Sequence, residues 1–129
     1  MANKSEKHRF DFLRQLGCIT CLLNKHYRWS DVHHLLRGGR RIGHHDTISL
    51  CAWCHRGVPD GDLRPSQMDT VVGPSLARSK RKFVERYGSE QFLLGLVNLA
   101  YEKYKQTPFN GVPFAIRDEL RELWKTRKE

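Results

Sequence analysis

Cysteine and histidine are concentrated in one part of this chain, and their spacing suggests metal chemistry. Cys18 and Cys21 form one C-x2-C pair, and Cys51 and Cys54 form a second. Two intervening residues let both thiolates of a tight turn reach one zinc ion at ~2.3 Å, and two such turns close a four-thiolate tetrahedron. A site closed this way keeps no open coordination place, so its expected work is structural. The alternative is buried or disulfide-bonded cysteine, which a reducing cytosol disfavours relative to metal. The 29 residues from Leu22 to Leu50 exceed the ~15–20 of the simplest zinc ribbon, so a hairpin is expected between the two knuckles.

That insert and its flank, "DVHHLLRGGRRIGHHDTISLCAWCHR" at residues 31–56, hold five histidines, two cysteines and four arginines. Consecutive histidines on a strand point to opposite faces, a rule that relaxes at the strand end. One of His33 and His34 can then hold a metal while the other faces a substrate water. His55 directly follows the last cysteine and is held at the start of a helix, so the three histidines converge if hairpin and helix pack together. Arg37, Arg40 and Arg41 surround Gly38 and Gly39, where guanidinium forks can clamp phosphates; the alternative is a solvated turn. Arg78, Lys80, Arg81 and Lys82 form a second basic cluster on an expected helix, where only some can share one face. His8 and His26 read as solvated surface groups, and His44 and His45 fall in a loop and stay unassigned, the alternative being that either supplements the metal site or the phosphate grip. Trp29 and Trp53 are candidates for base stacking, with core packing as the commoner fate in so small a domain.

The elements that must carry these groups follow from patterning. "MANKSEK" at residues 1–7 is polar and expected to fray. Phe10, Leu13 and Leu16, with Phe12, make a short helical stripe that Gly17 can end. Residues 27–36 and "TISLC" are strand-like and are separated by "RGGRR", giving a long-looped hairpin, after which "AWCHR" begins a helix. Residues 57–74, with Gly57, Pro59, Gly61, Pro65, Gly73 and Pro74, read as surface loop. Three helices are expected beyond: one capped by Ser75 with Leu76, Phe83 and Tyr87; one capped by Ser89 with Leu93, Val97, Ala100 and Tyr104; and a last one with Ile116, Leu120, Leu123 and Trp124. The reading is one α+β domain over 1–129, with zinc knuckles and hairpin at 17–56 and a helical part at 75–129.

With 23 Lys and Arg against 14 Asp and Glu, the 129 residues carry a formal charge of +9, which favours a polyanionic partner. Nucleic acid comes before membrane, because no apolar run approaches the ~18 residues of a span. With no leader-like opening, a cytosolic protein is expected.

The order Cys-x2-Cys, then "HH", then a polar residue five places before Cys51 in "CAWCH", resembles the HNH nucleases, whose ββα-metal motif is a hairpin followed by a helix. The resemblance covers residues 18–55. It implies a treble-clef-like core stapled by zinc, with His33 and His55 as ligands of a catalytic divalent ion and His34 as general base. Asp46 stands at the family's middle asparagine, a departure that leaves its role between orienting the neighbourhood of His34 and approaching the metal. "HHLLRGGRR", "LCAWCHRG" and "GPSLARSKRKFVERYG" further resemble the phage Ref-type recombination enhancement nucleases. That likeness implies DNA and a RecA filament as partners and, for a phage-encoded chain, the cytoplasm of the bacterial host.

The chemistry is coherent in itself. Hydrolysis of a phosphodiester needs an activated water, neutralised phosphate charge and a stabilised leaving oxygen. Imidazole is poised to take a proton near pH 7, and two histidine ligands leave places for water and phosphate, which suits magnesium or manganese. The expectation is a one-metal DNA endonuclease. A non-catalytic zinc module for nucleic-acid binding or assembly explains the cysteines and the charge equally well, but not the His33-His34 pair combined with Cys54-His55.

Overall fold

Helix α1 (Lys4–Leu16) opens the fold in a computed structural model that describes residues 3–106, 112 and 114–127. Lys4 to Lys7, assigned by composition to a frayed end, form its first turn. Asn3 Oδ1 accepts from Glu6 N, and Glu6 Oε1 accepts from Asn3 N, each at 2.9 Å. This reciprocal cap satisfies donors that a helix start leaves orphaned, and it offsets the polar composition. Met1 and Ala2 lie outside the described residues. Phe12, Leu13 and Leu16 are buried, whereas Phe10 is partly exposed and turns toward two histidines of the hairpin. Gly17 ends α1 at φ 77°, its N–H donating to Leu13 O.

The first cysteine pair belongs to α2 (Ile19–Leu23), with Cys18 at its N-cap and Cys21 inside it. Strand β1 (Asp31–His34) is shorter than the expected 27–36 run, and Tyr27 and Trp29 before it remain exposed. Inside the long loop a second, smaller hairpin joins β2 (Leu36–Arg37) to β3 (Arg40–Arg41). Gly38 and Gly39 close it at φ 59° and 78°, the positive values that a two-residue turn matching strand twist requires. Strand β4 (Thr47–Leu50) returns antiparallel to β1, pairing Asp31 with Leu50, His33 with Ile48 and His34 with Thr47. Helix α3 (Ala52–Arg56) follows at once, so hairpin and helix make a ββα unit within an α+β fold.

The segment read as surface loop contains a helix, α4 (Pro65–Val71). A proline is preorganised for the first helical position, where its missing N–H costs nothing, and Gln67 Oε1 accepts from Arg64 N at 2.8 Å. The buried Met68 anchors it. The helix expected to be capped by Ser75 starts four residues later, as α5 (Lys80–Tyr87) behind Ser79. Ser75 is instead buried in a turn tied to α3, in which Leu76 N donates to Cys54 O and Ser79 N to Ser75 O. Helix α6 (Glu90–Lys105) begins where Ser89 Oγ accepts from Phe92 N at 3.0 Å and buries Leu93, Val97 and Ala100.

Helix α7 (Phe114–Lys125) buries Ile116 and Leu120 and leaves Leu123 exposed. Its Arg117 donates to Leu16 O and Gln15 O, and its Arg121 to Leu22 O, so α7 braces the segment that carries Cys18 and Cys21. Among the described residues, no helix is long and apolar enough to cross a membrane.

Of the two tryptophans proposed for base stacking, Trp53 is wholly buried and Trp29 is 67% exposed. Trp53 Nε1 donates to Gly73 O at 2.8 Å, joining α3 to the end of the α4 segment. Trp53→Ala should therefore lower unfolding free energy by about 3–5 kcal/mol, read from urea denaturation at fixed zinc concentration.

Candidate functional site

Folding brings the two cysteine pairs together. All four thiols are free and buried, and their Sγ atoms lie within 4.8 Å of one another. The Sγ atoms of Cys21 and Cys51 are 4.0 Å apart, well beyond the ~2.05 Å of a disulfide bond. Among the described residues this is the one set of three or more such donors so closely grouped, and it can hold a metal ion. Neighbouring donors favour thiolate: Thr20 Oγ1 donates to Cys54 Sγ at 3.3 Å and Cys54 N to Cys51 Sγ at 3.4 Å. Hydrogen bonds from the other three cysteines push the Cys51 thiol far below its ordinary range, while the same crowding pushes Cys21 up. A cation bound among them would resolve that competition by taking the place of the protons. Arg28, gripped by Asp60 through contacts of 2.7 and 2.6 Å, adds positive charge beside Cys51.

The hairpin presents its histidines on two sides, as strand alternation requires. On one side, the His33 ring meets His55 of α3, with centroids 4.9 Å apart. His55 Nδ1 contacts Asp31 Oδ2 at 3.2 Å, and the same oxygen accepts from Arg56 Nε at 2.9 Å. A carboxylate on Nδ1 fixes the imidazole so that Nε2 is left for a metal. Burial lowers the proton affinity of His55, with Asp31 opposing. His33 Nε2 lies 2.6 Å from Glu90 Oε1, at the start of α6. The His33 contact holds the Glu90 carboxyl below its usual range, against the effect of burial and with help from Lys80.

On the other side, His34 Nε2 lies 2.9 Å from His44 Nδ1, and Phe10 packs edge-on against both rings. Burial lowers the proton affinity of His34, reinforced by the charges of Arg41, His44, His33 and His55, so the ring stays neutral further into acid than a free imidazole. His44 is held from behind. Its carbonyl accepts from Thr47 Oγ1 at 2.9 Å, and that oxygen accepts from the buried Arg9 Nε at 3.0 Å. Asp46 contributes backbone, its O accepting from Leu35 N at 2.9 Å, and its charge bears on Arg9.

Arg37, Arg40 and Arg41 are exposed on the β2–β3 hairpin. Lys80, Arg81 and Lys82 are exposed on α5, with Arg81 paired to Glu85 at 3.1 Å. Arg78 stands apart from them. It precedes α5, its Nε donates to Gly57 O at 2.7 Å, and its guanidinium lies over the Trp53 ring. His8 Nδ1 lies 2.9 Å from the hydroxyl of Tyr101, and His26 and His45 are exposed. Sequence reasoning missed the contacts that Asp31, Glu90 and His44 make with His55, His33 and His34. A signal existed for Asp31, which sits two residues before His33 and so on the same strand face.

A family model described as "Recombination enhancement, RecA-dependent nuclease" matches residues 2–102, which take in the cysteine quartet, the hairpin and most of α6. No curated protein and no solved structure matches the chain.

Cobalt titrated into metal-free protein should develop the intense thiolate-to-metal charge-transfer absorption of a four-sulfur site. Cys51→Ser should weaken that absorption and lower the melting temperature. An unchanged spectrum in the variant would remove Cys51 from the site.

Proposed function

Since the chain belongs to the family of RecA-dependent nucleases of recombination enhancement, we propose that it is an HNH-type DNA endonuclease in which His34 is the general base. The observation that carries this reading is the meeting of His55 of α3 with His33, on the strand that also carries His34, whose proton affinity burial lowers. When His34 Nε2–H donates to His44 Nδ1, the Nδ1 lone pair of His34 is left to take a proton from water. His44 then steadies the imidazolium that results, and the Arg9–Thr47 chain keeps His44 in place.

His33 and His55 would hold a divalent ion, magnesium or manganese: when the Nδ1–H of His55 donates to Asp31, its Nε2 is left as a ligand. Such an ion supplies positive charge against the phosphate and the departing 3′ oxygen. Arg37, Arg40 and Arg41 hold the flanking backbone beside His34, and Lys80, Arg81 and Lys82 extend the basic surface. Arg78 serves packing, with its guanidinium over the Trp53 ring and its Nε on Gly57 O. Asp46 acts on the loop through its backbone and through Arg9, in place of the asparagine that the HNH resemblance leads one to expect. Zinc in the cysteine quartet is structural, and the DNA is presented on a RecA filament.

The test is cleavage of plasmid and single-stranded DNA with magnesium or manganese, with and without a RecA filament. His34→Ala should slow cutting by about 10²–10⁴-fold while leaving fold and zinc content unchanged. Equal rates for parent and variant would end the general-base assignment. A folded, zinc-loaded parent that never cuts would favour the non-catalytic module. His44→Leu should slow cutting without abolishing it, and His44→Asn, which restores a polar atom near Nδ1, should recover part of the loss.

A further inference from the structure

Five consecutive residues, Lys25-His26-Tyr27-Arg28-Trp29, interleave cations and an imidazole with aromatic rings in the stretch that joins α2 to β1. Large aromatic side chains ordinarily bury most of their surface, yet Tyr27 is 59% exposed and Phe114, at the start of α7, is 82% exposed. The two rings border one groove of about 340 Å³, whose lining also includes Lys25, His26, Arg117 and Arg121. A second groove of about 210 Å³ shares His26 and Tyr27 and adds the exposed Val71.

The Tyr27 ring is held where it stands. Its hydroxyl donates to Arg14 O at 3.2 Å, the Arg117 guanidinium lies 5.8 Å from its centroid, and a Cβ at Gly17 would come within 2.7 Å of it. Arg117 donates to the carbonyls of Leu16 and Gln15 and has no carboxylate partner among the described residues, so its charge is not compensated. Lys25 has no ion pair among them either, and at φ 65° it is the one non-glycine described in the left-handed region. Arg28 and Arg121, by contrast, are matched by Asp60 and Asp118. The groove therefore combines open aromatic surface with two unmatched positive charges. An apolar protein surface would meet the rings but not the charges. A duplex would meet the charges but not the rings, because its bases are stacked inward. A single strand meets both, since each unpaired base offers a π-face and each phosphate a negative charge.

We propose that the groove between Lys25–Tyr27 and α7 binds single-stranded nucleic acid, with Phe114 and Tyr27 as stacking platforms for bases and Lys25 and Arg117 as the charges that attract the phosphates between them. This goes beyond the endonuclease reading and uses none of the histidine assignments. Helix α7, which builds one wall, lies outside residues 2–102, the part of the chain that the nuclease family model matches. The segment continues through Trp29, itself 67% exposed, into β1, so a strand that follows it from Tyr27 arrives at the hairpin.

The test is fluorescence anisotropy of a labelled oligothymidylate and of a duplex of the same length, titrated with the zinc-loaded full chain. No magnesium or manganese is added, so cutting does not enter. Phe114→Ala removes a ring that the fold leaves in solvent, and it should weaken oligothymidylate binding by about 5–100-fold while duplex binding stays close to the parent's. Tyr27→Leu, which keeps apolar bulk against Gly17, should act in the same direction. Unchanged oligothymidylate affinity in both variants would overturn the proposal and leave the patch to a protein partner. Equal losses for single strand and duplex would overturn it as well, since the rings would then not be reading unpaired bases. The endonuclease reading is judged apart from this: a chain that never cuts DNA but loses oligothymidylate affinity in Phe114→Ala would keep the groove and lose the nuclease.

Discussion

Four sulfur atoms confined within 4.8 Å of one another join segments that are 30 residues apart along the chain, and much of the remaining geometry follows from that closure. Cys51 ends β4 and caps α3 with its own sulfur, so the direction in which α3 leaves the hairpin is set at the cysteine site. His55 comes one residue after Cys54, and it reaches β1 because Cys54 is anchored on the other side of the same helical turn. Strands of four residues make a marginal hairpin when alone. Here the hairpin is closed at one end by the quartet and covered by α1 and α6. Helix α7 completes the clamp through arginine contacts to the carbonyls of Gln15, Leu16 and Leu22.

Strand alternation then divides the work of β1. His33 and Asp31 face α3 and the start of α6, and His34 faces α1 and the loop before β4. One peptide step thus separates the side of the strand that meets His55 and Glu90 from the side that meets His44, and each has its own support. A charged pair of carboxylates stands on the first side. On the second, a buried arginine spans from α1 to Thr47 and fixes the loop that carries His44. Arg9 is costly to bury, and its guanidinium is matched by two contacts to Thr47 and by the Tyr101 ring.

Much of this was legible because it is written in local spacing. The C-x2-C pairs, the alternation at His33-His34 and the stripe of Leu93, Val97 and Ala100 each report a geometry that short-range chemistry dictates. What escaped was of two kinds. Pro65 was weighed as a breaker when it stood at the one helical position that welcomes proline, and Ser75 looked like a cap although its neighbours pull it into a turn against α3. Glu90 and His44 escaped for a different reason. A glutamate at a helix start and a histidine in a loop look ordinary until tertiary packing places each within 3 Å of another imidazole.

The contact between His33 and Glu90 spans 57 residues of chain, whereas the four-residue strands of the hairpin meet across far shorter loops. Local pairings close early and long-range ones late, since the entropy of closing the larger loop must be met before its contacts give any return. The hairpin and its knuckles can therefore take shape while α6 is still undocked, and the contact between His33 and Glu90 is completed only when that helix settles. A member of a nuclease family has reason to assemble in this order: a fragment ending before α6 would carry His33 and His55 without Glu90, and the closing of that contact would report that the whole fold has formed.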